Sequence, residues 1–445
     1  MRAVPIVIAA VLGLPAQAAA PEHAPRPAPR AGAPAVSAVS IMPAAIAAPV
    51  RPGARPALAA GPEAAEPVQA SARDAGLAAW IRGFRDRAEA AGIRPDVLDR
   101  AFAGVRYDPE VVRRDRNQSE FTKTIWDYLD SAASDARIRN GQAALRRHGE
   151  ALQGIEDRYG VDKEVVAAVW GLESAYGTFK GDDPVIQSLA TLAFDGRRGR
   201  FFEQQLLAAL RIVQAGDVAP ERMTGSWAGA MGHTQFMPTS FLEFAVDATG
   251  DGRRDIWGDD PTDALASTAA YLKRSGWRTG QPWGVEVRLP EGFDYMQARR
   301  DNLRLPSDWA KDGVTGMDGR PVPDHGRASV LLPGGAEGAA FLIFDNFAAI
   351  ERYNTADAYV IGVGHLADRL KGGGPIRGGW PRGDRALTFS ERQELQRRLT
   401  ARGFDTRVVD GKIGPLTINA VRRFQQSEGM PPDGYASLHV LERLR

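Results

Sequence analysis

From Arg73 to Gly284 the apolar side chains recur every three or four residues, a pattern that restricts this part of the chain to helices packed on helices. Leu77, Trp80, Ile81 and Phe84 follow it, as do Val97, Leu98, Ala101 and Phe102. It continues through residues 121–129 and 137–159. After Gly284 the period changes. Val285, Val287 and Leu289 alternate as a strand does, and residues 329–332 and 340–344 read as further short strands. The expected fold is therefore mainly α with a small β subdomain.

The flanks are of another kind. Residues 1–20 hold Arg2, an apolar stretch from Ala3 to Leu14 and the small-residue triplet Ala16-Gln17-Ala18, the pattern of a secretory signal peptide cleaved near residue 18. Residues 21–70 contain 11 Pro and 17 Ala, too little apolar bulk to offset ordering entropy, so 19–72 is expected to be a disordered tether. A catalytic domain is expected over 73–370. The run Lys371-Gly-Gly-Gly-Pro-Ile-Arg-Gly-Gly379 reads as a flexible linker over 371–385, and a last domain occupies 386–445.

Composition excludes several function classes. Fifty-six Lys+Arg against 55 Asp+Glu give a net charge of +1, so no broad basic field for nucleic acid exists. With no cysteine there is no disulfide, thiolate metal site, cysteine nucleophile or acylated N-terminal cysteine. No apolar run of roughly 18 residues follows the N-terminus, which argues against an integral membrane protein. The six histidines show no zinc-ligand spacing such as H-E-x-x-H. A soluble periplasmic protein without a membrane anchor, and monomeric, is expected.

Chemistry concentrates between Tyr159 and Trp277. Asp162 can cap a helix bearing Val165, Val166, Val169, Trp170 and Leu172, with Glu173 at its end. Val169, Leu172, Glu173 and Tyr176 share one helical face, an apolar surround that raises a carboxyl pKa as a general acid requires. A glutamate at a helix end reaching solvent fits the same spacing. Residues 224–238 hold three glycines in fifteen positions, which lets backbone approach a ligand or another helix closely. Ser226, Gln235 and nearby rings can hydrogen-bond and stack on a sugar there. His233 can touch a ligand or bond within the segment, and a structural turn between helices fits as well.

Four strings together resemble the lytic murein transglycosylase B family over residues 75–370: Gly171-Leu-Glu-Ser-Ala-Tyr-Gly177, Leu192-Ala-Phe-Asp-Gly-Arg-Arg198, Ser226-Trp-Ala-Gly-Ala-Met-Gly-His-Thr-Gln-Phe-Met-Pro238 and Arg352-Tyr-Asn354. The resemblance implies a lysozyme-like helical domain with a groove for peptidoglycan glycan strands. It implies cleavage of the β-1,4 bond between N-acetylmuramic acid and N-acetylglucosamine, with Glu173 as catalytic acid. Tyr128, Arg197, Arg198, Ser226, Gln235, Tyr353, Asn354 and Tyr359 match the family's groove-lining positions. Ordinary glycosidases use two carboxylates, whereas the motif here supplies one. One suffices if Glu173 protonates the glycosidic oxygen and then takes the muramic C6 hydroxyl proton as that oxygen closes onto C1, giving a 1,6-anhydro sugar. No cofactor is required. A distant Asp acting as base would make the enzyme a hydrolytic muramidase, and loss of chemistry altogether would leave a wall-binding protein.

Two further features complete the reading. Asp247, Thr249, Asp251, Arg253 and Asp255 stand at positions 1, 3, 5, 7 and 9 of an EF-hand-like loop with Gly252 at its turn, although position 12 is Gly258 rather than a bidentate acid. A structural Ca2+ or Na+ is the expectation there, and a capped polar turn is the alternative. The tail, with Leu395-Gln-Arg-Arg-Leu399, Gly403-Phe404, Asp410-Gly-Lys-Ile-Gly-Pro-Leu-Thr417, Ala420-Val-Arg-Arg-Phe-Gln425 and Asp433-Gly434, resembles a three-helix peptidoglycan-binding domain. It offers no catalytic group, so its implied role is to hold the enzyme on the polymer.

Overall fold

The computed structural model describes residues 66–117 and 123–445. The expected leader at 1–18, the segment 19–65 and Phe121 lie outside these residues. The first described helix, Glu66–Ala90, runs across the boundary at 73 that composition suggested. That helix buries Leu77, Ile81 and Phe84 as its spacing requires, and Trp80 stacks on Phe84 with centroids 5.2 Å apart. Helices predominate among the described residues, and their strands are short. None of the described helices is long and apolar enough to cross a membrane.

At the centre lies the helix Lys163–Ser174. Every residue from Val165 to Gly171 is buried, so it is apolar all round rather than amphipathic. It packs against Asp357–Leu370 and Asp135–Arg147, and its core is continuous with Leu265, Phe347, Ile361 and Leu366. Asp162 sits at the N-cap position, but its carboxylate makes no capping bond and pairs with Lys371 instead.

Strands β1 (Asp183–Pro184) and β2 (Thr224–Gly225) form a two-stranded pair. The second sheet contains β3 (Gly284–Arg288), β4 (Thr315–Gly316), β5 (Ser329–Leu331) and β6 (Ala340–Ile343). Its order is β4-β3-β6-β5, antiparallel throughout, with Val285 opposite Leu342. Val287, Val330, Leu342 and Trp309 form its own core, which makes it the expected β subdomain.

The glycine-rich linker is not a free tether. Glu286 on β3 accepts the Arg377 and Gly378 backbone N–H groups, and Trp380 packs against Trp126 with centroids 6.3 Å apart. Arg382 makes a two-pronged contact to Asp130 at 2.8 and 3.0 Å. Composition predicted flexibility because glycine has no side chain to hold; the holding is done by Trp380, Arg382 and backbone N–H groups. Beyond it, helices Phe389–Ala401, Pro415–Ser427 and Leu438–Leu444 close around Leu395, Leu399, Val421, Phe424 and Leu441. Thr388 and Glu391 form a capping box, and Gln396 ties the Gly/Pro turn through Gly411, Asp410 and Thr417. This tail is docked: Asp433 accepts the Ala336 N–H at 2.8 Å, and Arg422 donates to the Ala298 carbonyl.

Candidate active site

Glu173 occupies the last turn of the central helix and is 6% exposed. The helix stops one residue later because Ala175, Tyr176 and Gly177 all adopt the left-handed region, at φ 50, 60 and 83°. Two of these carry side chains, a strained arrangement of order 1–3 kcal/mol each that surrounding contacts must hold. Tyr176 therefore does not continue the Val169–Leu172–Glu173 face, as helical spacing suggested. It folds back, packs its ring on Gly171 where no Cβ fits, and donates from its hydroxyl to the Arg137 carbonyl at 2.9 Å.

The Tyr359 hydroxyl donates to Glu173 Oε1 at 2.6 Å. Burial raises the Glu173 pKa and the Tyr359 bond opposes it, leaving the carboxyl at about 8. Among the described residues no second carboxylate bears on it. Tyr128 and Tyr353 face the same charge, and both phenols are held protonated, by burial first and by Glu173 second. The Tyr353 and Tyr359 rings lie parallel with centroids 6.4 Å apart, and Tyr353 continues into Tyr271 and Phe236 at 4.8 and 5.8 Å. The predicted Tyr128, Tyr353 and Tyr359 are thus brought together around the acid from three different helices. Asn354 is buried at the end of Asp345–Tyr353, where its side chain accepts the Ala356 N–H and turns the chain toward Tyr359.

Residues 224–238 lie against the acid's helix as a chain of tight turns. Ser226 Oγ accepts the Ala230 N–H at 3.1 Å. Gln235, at φ 53°, gives its amide N–H groups to the Lys180 and Gly232 carbonyls, both at 2.9 Å, so its oxygen is what it can offer a ligand. His233 is buried and bonds within the protein, to Trp170 and Gly258.

Arg197 and Arg198 converge on Asp115, a buried carboxylate of the helix Pro109–Asn117 that the sequence reading missed. Their described polar partners do not include the Glu173 cluster. Arg197 keeps about half its side chain exposed, at 47%, and so can still meet an anionic group while one face is held by Asp115.

The acidic loop departs from its template. Asp247, Asp251 and Asp263 bring carboxylate oxygens within 4.8 Å of one another. Asp255 instead caps the next turn by accepting the Trp257 and Gly258 N–H groups. Thr249 donates to Asp247 and Arg253 gives its N–H to Asp251, so both support the loop. Asp263, in the first turn of Thr262–Arg274, was invisible to a twelve-residue motif because it arrives from the following helix.

A helical domain that buries one protonated carboxyl among tyrosines, with no second acid among the described residues bearing on it, defines an acid–base catalyst of the lysozyme-like class. The transglycosylase SLT domain family matches residues 76–368, and a putative peptidoglycan binding domain matches residues 390–444. The chain belongs to the transglycosylase SLT domain family and carries a C-terminal peptidoglycan-binding domain. It is 33% identical over 240 residues to membrane-bound lytic murein transglycosylase B of Escherichia coli, covering 52% of this chain. The chain spans 63% of that relative's length. The crystal structure of SltB3 from Pseudomonas aeruginosa in complex with NAG-anhNAM-pentapeptide is 53% identical, with a TM-score of 0.81 over 83% of this chain and 99% of that one. The Escherichia coli lytic transglycosylase Slt35 in complex with calcium is 28% identical, with a TM-score of 0.56 over 67% of this chain and 94% of that one.

Proposed function

We propose that this chain is a peptidoglycan lytic transglycosylase that cleaves the MurNAc–GlcNAc bond with formation of 1,6-anhydroMurNAc, Glu173 acting alone as acid and then base. The observation that carries the reading is a single buried carboxyl, protonated up to about pH 8 and hydrogen-bonded to Tyr359. Neutral Glu173 donates its proton to the glycosidic oxygen as the C1–O bond breaks. Its carboxylate, kept in place by the Tyr359 hydroxyl, then accepts the C6 hydroxyl proton while O6 bonds to C1. That C6 hydroxyl proton restores neutral Glu173, the first proton leaves on the departing sugar's hydroxyl, and no water is consumed. Intramolecular attack draws its rate from orientation, which Tyr128, Tyr353, Asn354, Gln235 and Ser226 supply around the strand. The 53%-identical SltB3 complexed with an anhydro-sugar peptide supports this reading. Digestion of purified peptidoglycan tests it: muropeptides one water lighter than those lysozyme releases are expected, and full-mass reducing products would assign hydrolysis instead.

The protein works in the periplasm, a reading supported by the leader-like N-terminus. Asp247, Asp251 and Asp263 hold a calcium ion, which ties the loop to the helix Thr262–Arg274; three hard carboxylates converging within 4.8 Å suit that cation. Calcium titrated into the chelator-treated full chain is expected to give a saturable heat and to raise Tm by a few degrees, as ligand linkage requires. Asp251→Ala is expected to remove both responses, and an unchanged Tm of the parent protein would discard the ion.

A further inference from the structure

We infer that His233 is the positioning residue of Glu173: as a neutral imidazole it pins the last turn of the acid's helix to the loop that follows the acidic cluster. The inference rests on the reaction proposed above and adds a residue to it.

Two bonds define the tautomer. The Trp170 indole N–H lies 3.2 Å from His233 Nδ1, and the Gly258 carbonyl oxygen lies 2.7 Å from Nε2. An indole nitrogen only donates and a carbonyl only accepts, so Nδ1 must be bare and Nε2 must carry the proton. An imidazolium would set one N–H against another. Burial holds His233 below the usual histidine range, in keeping with the neutral ring. The backbone adds a second grip: Ser174 Oγ donates to the His233 carbonyl at 2.5 Å and accepts the Gly177 N–H at 3.0 Å. His233 therefore holds residues 170 and 174, and Glu173 lies between them. The ring leaves no space for a Cβ at Gly177, where the chain is in its left-handed turn.

The far end of the clamp is itself fixed. Gly258 donates its N–H to Asp255, Asp255 donates its own to Asp263, and Lys180 Nζ bonds the Trp257 and Gly258 carbonyls at 2.6 and 3.0 Å. His148 also stands edge-on to Trp170. Around Glu173 the facing groups are Tyr128, Tyr353 and Tyr359, with Arg137 bonded to the Gly171 carbonyl. A Glu173 freed from this frame gains room and water, and its alkaline limit should fall.

The test compares His233→Phe with His233→Gln in the full chain, reading Tm, kcat, KM and the pH profile on soluble uncrosslinked glycan strands. Phe fills the space without either bond, whereas the Gln amide offers one acceptor and one donor for the same partners. With Phe, kcat is expected to fall on the order of 10-fold or more with little change in KM. The alkaline limb should move down by about one pH unit. Gln should restore most of both. A folded His233→Phe with the parental kcat and limb overturns the inference. So does a kcat loss with an unmoved limb that Gln does not relieve, since that is a structural effect only. If Phe does not yield folded protein, Trp170→Phe removes the same bond from the other side, and an unmoved limb there overturns it equally. Wild-type digestion without anhydro products would defeat the proposed reaction and this inference with it. Wild-type anhydro products beside an unmoved limb would defeat the role of His233 alone.

Discussion

Glu173→Gln should release no anhydro-muropeptides, with turnover down on the order of 10⁴-fold, because one residue is both acid and base. Gln has nearly the shape of protonated Glu and leaves the Tyr359 hydroxyl an acceptor, so the fold should survive. The same substitution carries a stability signature. In the folded chain the carboxyl titrates at about 8 against an ordinary 4.5, so folding favours the protonated form. Stability from this group is complete below pH 4.5 and is lost as pH rises through 8, where burial of the charge is penalised. Gln never charges. The variant should match the parent near pH 4.5 and exceed it by a few kcal/mol, on the order of the linkage energy, above pH 8. Thermal melts at both pH values check this, and equal Tm values at pH 9 would contradict a buried acid.

Tyr359→Phe acts on the opposite half of the cycle. It deletes the 2.6 Å bond that favours the carboxylate, so the Glu173 pKa should rise and the alkaline limb of the rate profile move up. The base step loses its one described donor, and kcat should fall by roughly 10²-fold, as for other preorganised donors to a developing anion. The direction separates this variant from His233→Phe, whose limb moves down. A limb moving down in Tyr359→Phe would mean that the hydroxyl serves to exclude water rather than to hold the anion.

The acid was legible through resemblance because its motif is contiguous; spacing alone also allowed a glutamate that reaches solvent. Glu173 ends an apolar helix, and burial of that helix follows from Val165, Val166, Val169 and Trp170 in sequence. Tyr128, Tyr353 and Tyr359 were reached through resemblance, and their convergence was not visible in spacing, since each comes from a separate helix. Asp115 and Asp263 were missed for a related reason. A buried carboxylate gathers partners from distant segments, and no local pattern marks the position that will receive them. The flexible linker expected over 371–385 failed differently: glycine content describes what a segment can do when nothing holds it, and here Trp126, Asp130 and Glu286 hold it.

Periodicity, turn residues and composition, which act between near neighbours, determined the helical class, the later strands and two amphipathic helices of the tail, while contiguous motifs, through family resemblance, pointed to the acid and to the third tail helix. Tertiary structure decided the rest. It set the end of the acid's helix at two strained residues, the protonation of Glu173, the neutral tautomer of His233, the third carboxylate of the acidic loop and the docking of the tail. Each of these depends on desolvation or on a hydrogen bond to a residue far away in sequence, and such energies exist only once the chain has packed.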